Sequence, residues 1–357
     1  MKAAVYYGKG DVRIEDVPEP RPAPGELLLE VHAAGICGTD VGEYMHGPMS
    51  YAVDGHRVTG HSGPLIPGHE FSGRVVDVGR EVDGFGVGSV VTTGAGISCG
   101  MCFQCLLGRT NLCLDYATIG LHRHGGLAQY CAVPAATCLD VAPYELDEET
   151  AALAQPMAIA VHSLRRGRPQ HDDGVLVLGA GGIGAFLVYA AAEAGLRVAV
   201  VDVDPQRLEL AGRLGAAELF SGREEIGTQA AGAGFRPTVV YEVTGIPAVL
   251  RQALAVLTPG GRLVVVGLQS EPQFLGWRDL TLNEIEIVGT NAHACAVDLP
   301  EALRLLGRRR STWNDVAPVV LALDELVRHA LEPMARGASS RIKTLLDPWG
   351  SATRRRA

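Results

Sequence analysis

The sequence predicts an α/β protein, in which a doubly wound parallel sheet is joined to a second, mainly β domain. Three observations predict it. Gly174-Val-Leu-Val-Leu178 is short, branched and apolar, as a strand buried on both faces should be; it runs through Gly179-Ala-Gly-Gly-Ile-Gly184 into a helix rich in Ala and Leu. From about residue 152 onward, strand patterns alternate with helical ones. Before that point, short strands between Gly and Pro lie too close together for βαβ units.

A chain of 357 residues suits two domains, each with its own core. Net charge is −9 with acids and bases interspersed, which argues against nucleic acid or an anionic membrane as main partner. The short basic runs at 165–168, 308–310 and 354–356 are expected on solvated faces or frayed ends. The first residues, Met1-Lys-Ala-Ala-Val-Tyr-Tyr7, have no apolar secretory region. Eight cysteines then suggest a cytoplasmic protein with metal-bound thiolates rather than disulfides.

Residues 1–151 are expected to form the β domain. Its first 35 residues alternate apolar and polar, as in Leu27-Leu-Leu-Glu-Val-His-Ala33, with further strands at 75–78 and 89–92. Residues 152–290 form the nucleotide-binding sheet, with strands expected at 175–178, 198–202, 238–243, 262–266 and 286–289 and helices at 205–214 and 247–257. Residues 291–357 are expected to return to the first domain, with helices at 299–306 and 323–330 and a last strand at 341–345.

The glycines of the 179–184 turn form the Rossmann G-x-G-x-x-G fingerprint. Gly179 permits the tight turn, Gly181 lets backbone approach a pyrophosphate, and Gly184 lets helix and strand pack closely. Gly182 and Ile183 then open the helix, whose free N–H groups face a diphosphate. Residues 174–192 carry no charge and nearly suffice to cross a bilayer, but the strand-turn-helix pattern suits a sheet. Asp202 ends the next strand, where an acid holds the ribose hydroxyls. Its charge repels the 2′-phosphate of NADP, so NAD is the expected cofactor. Arg207 and Thr244 complete the expected contacts of this half.

Cys99-x-x-Cys102-x-x-Cys105 and Cys113 can surround one tetrahedral zinc with no open position, as in a structural site. An iron–sulfur cluster is a minor alternative. Separately, Cys37 with His69 and Glu70 is the donor set of a catalytic zinc that keeps one position for water or substrate.

With those residues in view, the chain resembles the zinc-dependent medium-chain dehydrogenases. Gly68-His-Glu-x-x-Gly73-x5-Gly79-x-x-Val82 matches that family's zinc signature, and the knot spacing and nucleotide fingerprint match as well. More narrowly, residues 1–20, Glu43-Tyr-Met-His-Gly-Pro48 and the insert before Gly68 are similar to the 2,3-butanediol dehydrogenases of the sorbitol-dehydrogenase-like branch. The resemblance implies a discontinuous GroES-like catalytic domain, NAD, and two Zn²⁺ per subunit, one catalytic and one structural. It implies alcohol oxidation: the metal lowers the pKa of a hydroxyl and the carbinol hydride passes to the nicotinamide. Thr39 would take the hydroxyl proton. Glu70 would bind zinc directly or act from behind it. Val266, Gly267 and Leu268 would offer backbone groups to the nicotinamide amide. A homodimer or homotetramer is implied, with an alcohol or ketone as the small-molecule substrate.

Two positions depart from that pattern. The family's relay histidine falls at Gly42, so the proton must leave by water or another group such as Glu43. The branch's metal-binding glutamate falls at Gln155, a neutral and weaker ligand. His46, His56, His61, His122 and His124 are expected to be loop histidines, with Tyr44 and Phe71 shaping the pocket. The expected substrate is a vicinal diol or polyol, with 2,3-butanediol and acetoin as the leading pair. A cyclitol, amino alcohol or sugar intermediate is the alternative, and a zinc- and nucleotide-binding regulator without turnover is the rival of another class.

Overall fold

Six parallel strands form the sheet of the nucleotide-binding unit: β1 (Gly174–Leu178), β2 (Arg197–Asp202), β3 (Glu218–Ser221), β4 (Val239–Glu242), β5 (Arg262–Val265) and β6 (Glu286–Gly289). Their order is 3-2-1-4-5-6, with the crossover between β3 and β4 returning past β1, as in a doubly wound dinucleotide sheet. The computed structural model describes residues 1–269, 271–339 and 341–356. It divides the chain into two units, Met1–Ala158 with His293–Ala357, and Ile159–Ala292.

Strands β1 and β2 read clearly in the sequence because both faces are covered: Leu176, Leu178, Ala199 and Val201 belong to one buried cluster, and the alternating Val175, Val177, Val198 and Val200 are buried as well. Strand β3 is an addition to the expected set. It lies at the edge, and Leu219 is 44% exposed, so it lacks the two-sided apolar signal. Gly184 packs so tightly that a Cβ there would lie 1.8 Å from Gly179 O. Gly179 itself adopts φ +101°, a conformation costly for any residue with a Cβ.

In the other unit, Glu26–Gly35 pairs antiparallel with Glu70–Val78 on one side and with Leu345–Asp347 on the other. The register places Gly35 opposite both Glu70 and Leu345. Three chain segments therefore converge at one sheet end: Cys37 just after its strand, His69 just before the next, and Lys343 just before the third. Leu27, Leu29, Val31, Val75 and Leu346 form the buried core beneath them.

Several expectations for this unit change. The unit boundaries fall at 158/159 and 292/293 instead of 151/152 and 290/291, and the first lies inside one continuous helix, Ala154–Gly167. Residues 323–330 are not one α-helix but a 3₁₀ turn, Leu323–Glu325, and a π-helical turn, Val327–Leu331, leading into Glu332–Ala335. The last expected strand begins at Leu345, not 341, because the Lys343 amide donates to Val316 O and Thr344 O accepts from Ile36 N. Two arginines of the basic runs are not solvated. Arg309 makes paired 2.7 Å bonds to Asp315 over the ring of Trp313, and Arg356 bonds Glu149 at 2.7 Å.

Candidate active site

Cys37 is the residue before helix Gly38–His46. Asp40, in the helix's first turn, accepts a 2.8 Å bond from the Cys37 amide, which fixes the cysteine's backbone. The other Asp40 oxygen accepts from the Tyr51 hydroxyl at 2.8 Å and lies 3.9 Å from His69 Nδ1. Burial pushes the Asp40 carboxyl up, against the pull of His69 and those two bonds. Cys37 Sγ, a His69 ring nitrogen and a Glu70 carboxylate oxygen all lie within 4.8 Å of one another. That spacing fits three donors to one small cation with a position left open. Thr39 Oγ1 lies 3.7 Å from Cys37 Sγ.

Glu70 is fully buried, and Lys343 Nζ meets both of its oxygens at 2.5 Å. Gly35 makes room for this pair, since a Cβ there would lie 2.4 Å from Glu70 Oε2. Burial alone would lower the Lys343 pKa, but Glu70 first, then Cys37 and Asp40, more than offset it and raise it. Lys343 was not among the expected site residues. Its only sequence signal is a lone charge in the apolar run Ile342-Lys-Thr-Leu-Leu346.

His69 shows the same balance. Burial opposes its charged form, yet Cys37, Asp40 and Glu70 push its pKa up to about 9. A metal requires the neutral ring, so below that pH binding must displace a proton. Zinc affinity of this site should therefore rise with pH between 6.5 and 8.5, by at least about tenfold per unit, since binding releases a proton. Calorimetric zinc titration at three pH values checks this; an affinity independent of pH would contradict it.

The four thiols of Cys99, Cys102, Cys105 and Cys113 also lie within 4.8 Å of one another. Cys102 Sγ is 3.6 Å from Cys105 Sγ and 3.9 Å from Cys113 Sγ. A tetrahedron with Zn–S bonds of about 2.3 Å has edges of about 3.8 Å, so the set fits zinc. Backbone amides of Cys99 and Asp115 donate to Cys113 Sγ. Met101, Phe103 and Leu106 of this lobe are exposed, which leaves the thiol cluster as its centre.

In the nucleotide-binding unit, a Cβ built on Gly181 would meet only Arg207 Nη1, at 3.9 Å, so the turn keeps open space where a phosphate would approach. Gly182–Glu193 is the helix that follows, with Ile183 in its first turn. Asp202 is buried; its carboxylate accepts from Ala180 N at 2.8 Å and Asp204 N at 2.9 Å. Arg207 Nε lies 3.8 Å from Asp204 Oδ2. Thr244 packs against Gly179 and bonds Glu242. The amides of Val266 and Gly267 donate to Glu242 O at 2.8 and 2.9 Å, so these two N–H groups are committed within the protein and are not free for a nicotinamide. Leu268 is 90% exposed.

Other expectations are corrected. Glu43 is no proton exit: it is fully buried and accepts from the amides of Met49, Ser50 and Tyr51, anchoring that loop. Phe71 lies in the core, not in a pocket, because a Cβ on Gly126 would touch its ring; Tyr44 packs partly buried against the same core. The ring of His56 stacks on His122 at 4.3 Å and that of His61 meets His124 edge-on at 4.8 Å, so these are paired rather than freely solvated. Gln155 is buried, and its Oε1 has no hydrogen-bond partner among the described residues. A Cβ on Gly42 would lie 3.3 Å from Met49 Cε, an apolar neighbour.

Residues 23–143 match the family model described as the alcohol dehydrogenase GroES-like domain, and residues 182–308 match that of the zinc-binding dehydrogenases. Sorbitol dehydrogenase of Bacillus subtilis is 35% identical, over 82% of this chain and 83% of that one. The crystal structure of 2R,3R-butanediol dehydrogenase from Bacillus subtilis superposes with a TM-score of 0.89 at 30% identity, covering 97% of this chain and 99% of that one. An alcohol dehydrogenase from Escherichia coli CFT073, solved with NADH, gives 0.86 at 27% identity over 97% and 99%. No helix among the described residues is long and apolar enough to cross a membrane.

Proposed function

The chain belongs to the zinc-binding alcohol dehydrogenase family, and within it we propose an NAD-dependent oxidation of a secondary alcohol that carries a neighbouring hydroxyl, a vicinal diol or polyol. The proposed leading pair is 2,3-butanediol and acetoin, supported by likeness to the Bacillus subtilis butanediol dehydrogenase along nearly the whole chain. The carrying observation is the gathered donor set of Cys37, His69 and Glu70. Zinc held there supplies a Lewis acid that lowers the pKa of an alcohol hydroxyl, and NAD supplies the hydride acceptor.

The chain's own residues prepare that chemistry. Cys37 and His69 hold the metal. Asp40 fixes the first through its amide and faces the second, while Tyr51 pins Asp40. Glu70, clamped by Lys343, keeps a negative charge beside the donors and stands in reserve as a further ligand. Gln155, with its unpartnered Oε1, is the proposed weak third ligand beside Cys37 and His69, in place of a charged one. Thr39 takes the hydroxyl proton and passes it to water, because Gly42 offers no relay group and Glu43 is committed. The closed thiol set is the proposed structural zinc site, and the working unit is a homodimer or homotetramer.

NADH formation on the zinc-loaded protein, across butanediol stereoisomers, polyols, cyclitols and threonine-like amino alcohols, tests this reading. The largest kcat/KM should fall on a vicinal diol or polyol. No turnover on any alcohol, with nucleotide still bound, would favour a regulator instead.

Asp202 supports NAD over NADP, because a carboxylate at the end of β2 suits two ribose hydroxyls and repels a phosphate. Asp202→Ala should reduce the NAD-to-NADP preference in kcat/KM by about 10- to 100-fold, the worth of a charged hydrogen bond. An unchanged ratio would remove Asp202 from ribose recognition.

A further inference from the structure

Glu242 ends β4 and is fully buried, yet among the described residues the groups that hydrogen-bond its carboxylate are all neutral. Its Oε1 accepts from Thr244 N at 2.6 Å and Gly245 N at 3.1 Å, and from the Thr244 hydroxyl. Its Oε2 accepts from Gln269 Nε2 at 2.9 Å. Its backbone oxygen holds Val266 N and Gly267 N. One residue therefore ties the loop after β4 to the loop after β5. The first of these loops also touches the phosphate turn, since a Cβ on Gly179 would lie 2.7 Å from Thr244 Cγ2. These loops leave the carboxyl ends of the strands, where the second half of a dinucleotide lies in a sheet of this order.

An ionised carboxylate only accepts hydrogen bonds, so Gln269 must turn its NH₂ toward Glu242. Its Oε1 then faces the other way. That oxygen is buried and has no donor among the described residues. A buried acceptor without a donor is rare in native proteins and calls for a partner, either a water or a ligand.

We propose that Gln269 Oε1 accepts a hydrogen bond from the carboxamide N–H of the bound nicotinamide, and that Glu242 is the positioning residue that holds it in that orientation. The inference rests on the NAD reading above and adds a side-chain contact at the nicotinamide end, where the amides of Val266 and Gly267 are already engaged. It makes the site selective for a pyridine carboxamide over a ring with a methyl ketone at the same position.

The test uses the full-length protein and three ligands: NAD, its 3-acetylpyridine analogue, which lacks the carboxamide N–H, and ADP-ribose, which lacks the ring. Gln269→Met should weaken NAD binding by about tenfold and leave the other two within about twofold. Glu242→Gln, which lets the Gln269 amide turn over, should reproduce that pattern. Equal losses for NAD and the acetylpyridine analogue in Gln269→Met, or no loss for either, would overturn the contact. Equal losses on all three ligands in Glu242→Gln would overturn its positioning role. If the wild-type chain fails to bind ADP-ribose, the dinucleotide reading itself falls and this proposal with it; any other failure, against firm ADP-ribose binding, strikes this proposal alone.

Discussion

Cys37→Ser or His69→Ala should lower kcat by about 10³-fold or more while ADP-ribose binds as in the wild type. The size follows from a Lewis acid supplying several kcal/mol to the charge of an ionising hydroxyl, at about 1.4 kcal/mol per factor of ten. Cys37 and His69 lie in one unit with Asp40, and the phosphate turn lies in the other, so the two effects separate by position in the chain. Metal analysis should show one zinc fewer per chain in each variant, with the closed thiol site still filled. Steady-state kinetics and nucleotide titration on the same preparations check this. Full activity in either variant would exclude the proposed metal from the reaction.

Lys343→Met should destabilise the protein by about 3–5 kcal/mol, because it leaves the Glu70 charge buried without its partner. Both side chains are almost completely buried, with 3% and 0% of their surface exposed, so water cannot take over the role of the ammonium group. Glu70→Gln alone should also destabilise, by stranding the lysine. The double variant should recover most of the loss, since it removes both charges together. Thermal unfolding of the zinc-loaded proteins measures this as a lowered Tm in each single variant and partial recovery in the double. Additive losses, or an unchanged midpoint in Lys343→Met, would contradict the pair as a buried, mutually dependent unit.

The parts of the site that are local in the chain were legible in the sequence. The turn from Gly179 to Gly184 and the cluster from Cys99 to Cys113 announce themselves because their groups must be close in sequence to share a phosphate or a metal. Cys37, His69 and Glu70 were legible through a spacing typical of a family. Groups brought in by register were not. Lys343 reaches Glu70 only because Leu345 pairs with Gly35, and no local pattern encodes that pairing. Tyr51 reaches Asp40 across a loop that Glu43 organises from its own helix, so Glu43 reads in sequence as a free acid and acts as an anchor. Strand β3 and the turns from Leu323 to Leu331 failed to read correctly for a related reason: one is half-exposed at an edge, and the other winds through 3₁₀ and π turns that apolar spacing does not distinguish from an α-helix.

Hydride transfer by this chain should depend on a metal held by Cys37 and His69. The most direct test of that dependence is turnover followed against zinc content as a chelator removes the metal stepwise. The open site has fewer protein donors than the four-thiol site and should empty first. Activity should fall to background as content drops from two zinc ions per chain to one, and return when zinc is added back. Activity that persists unchanged at one ion per chain, with only the thiol site filled, would contradict the account.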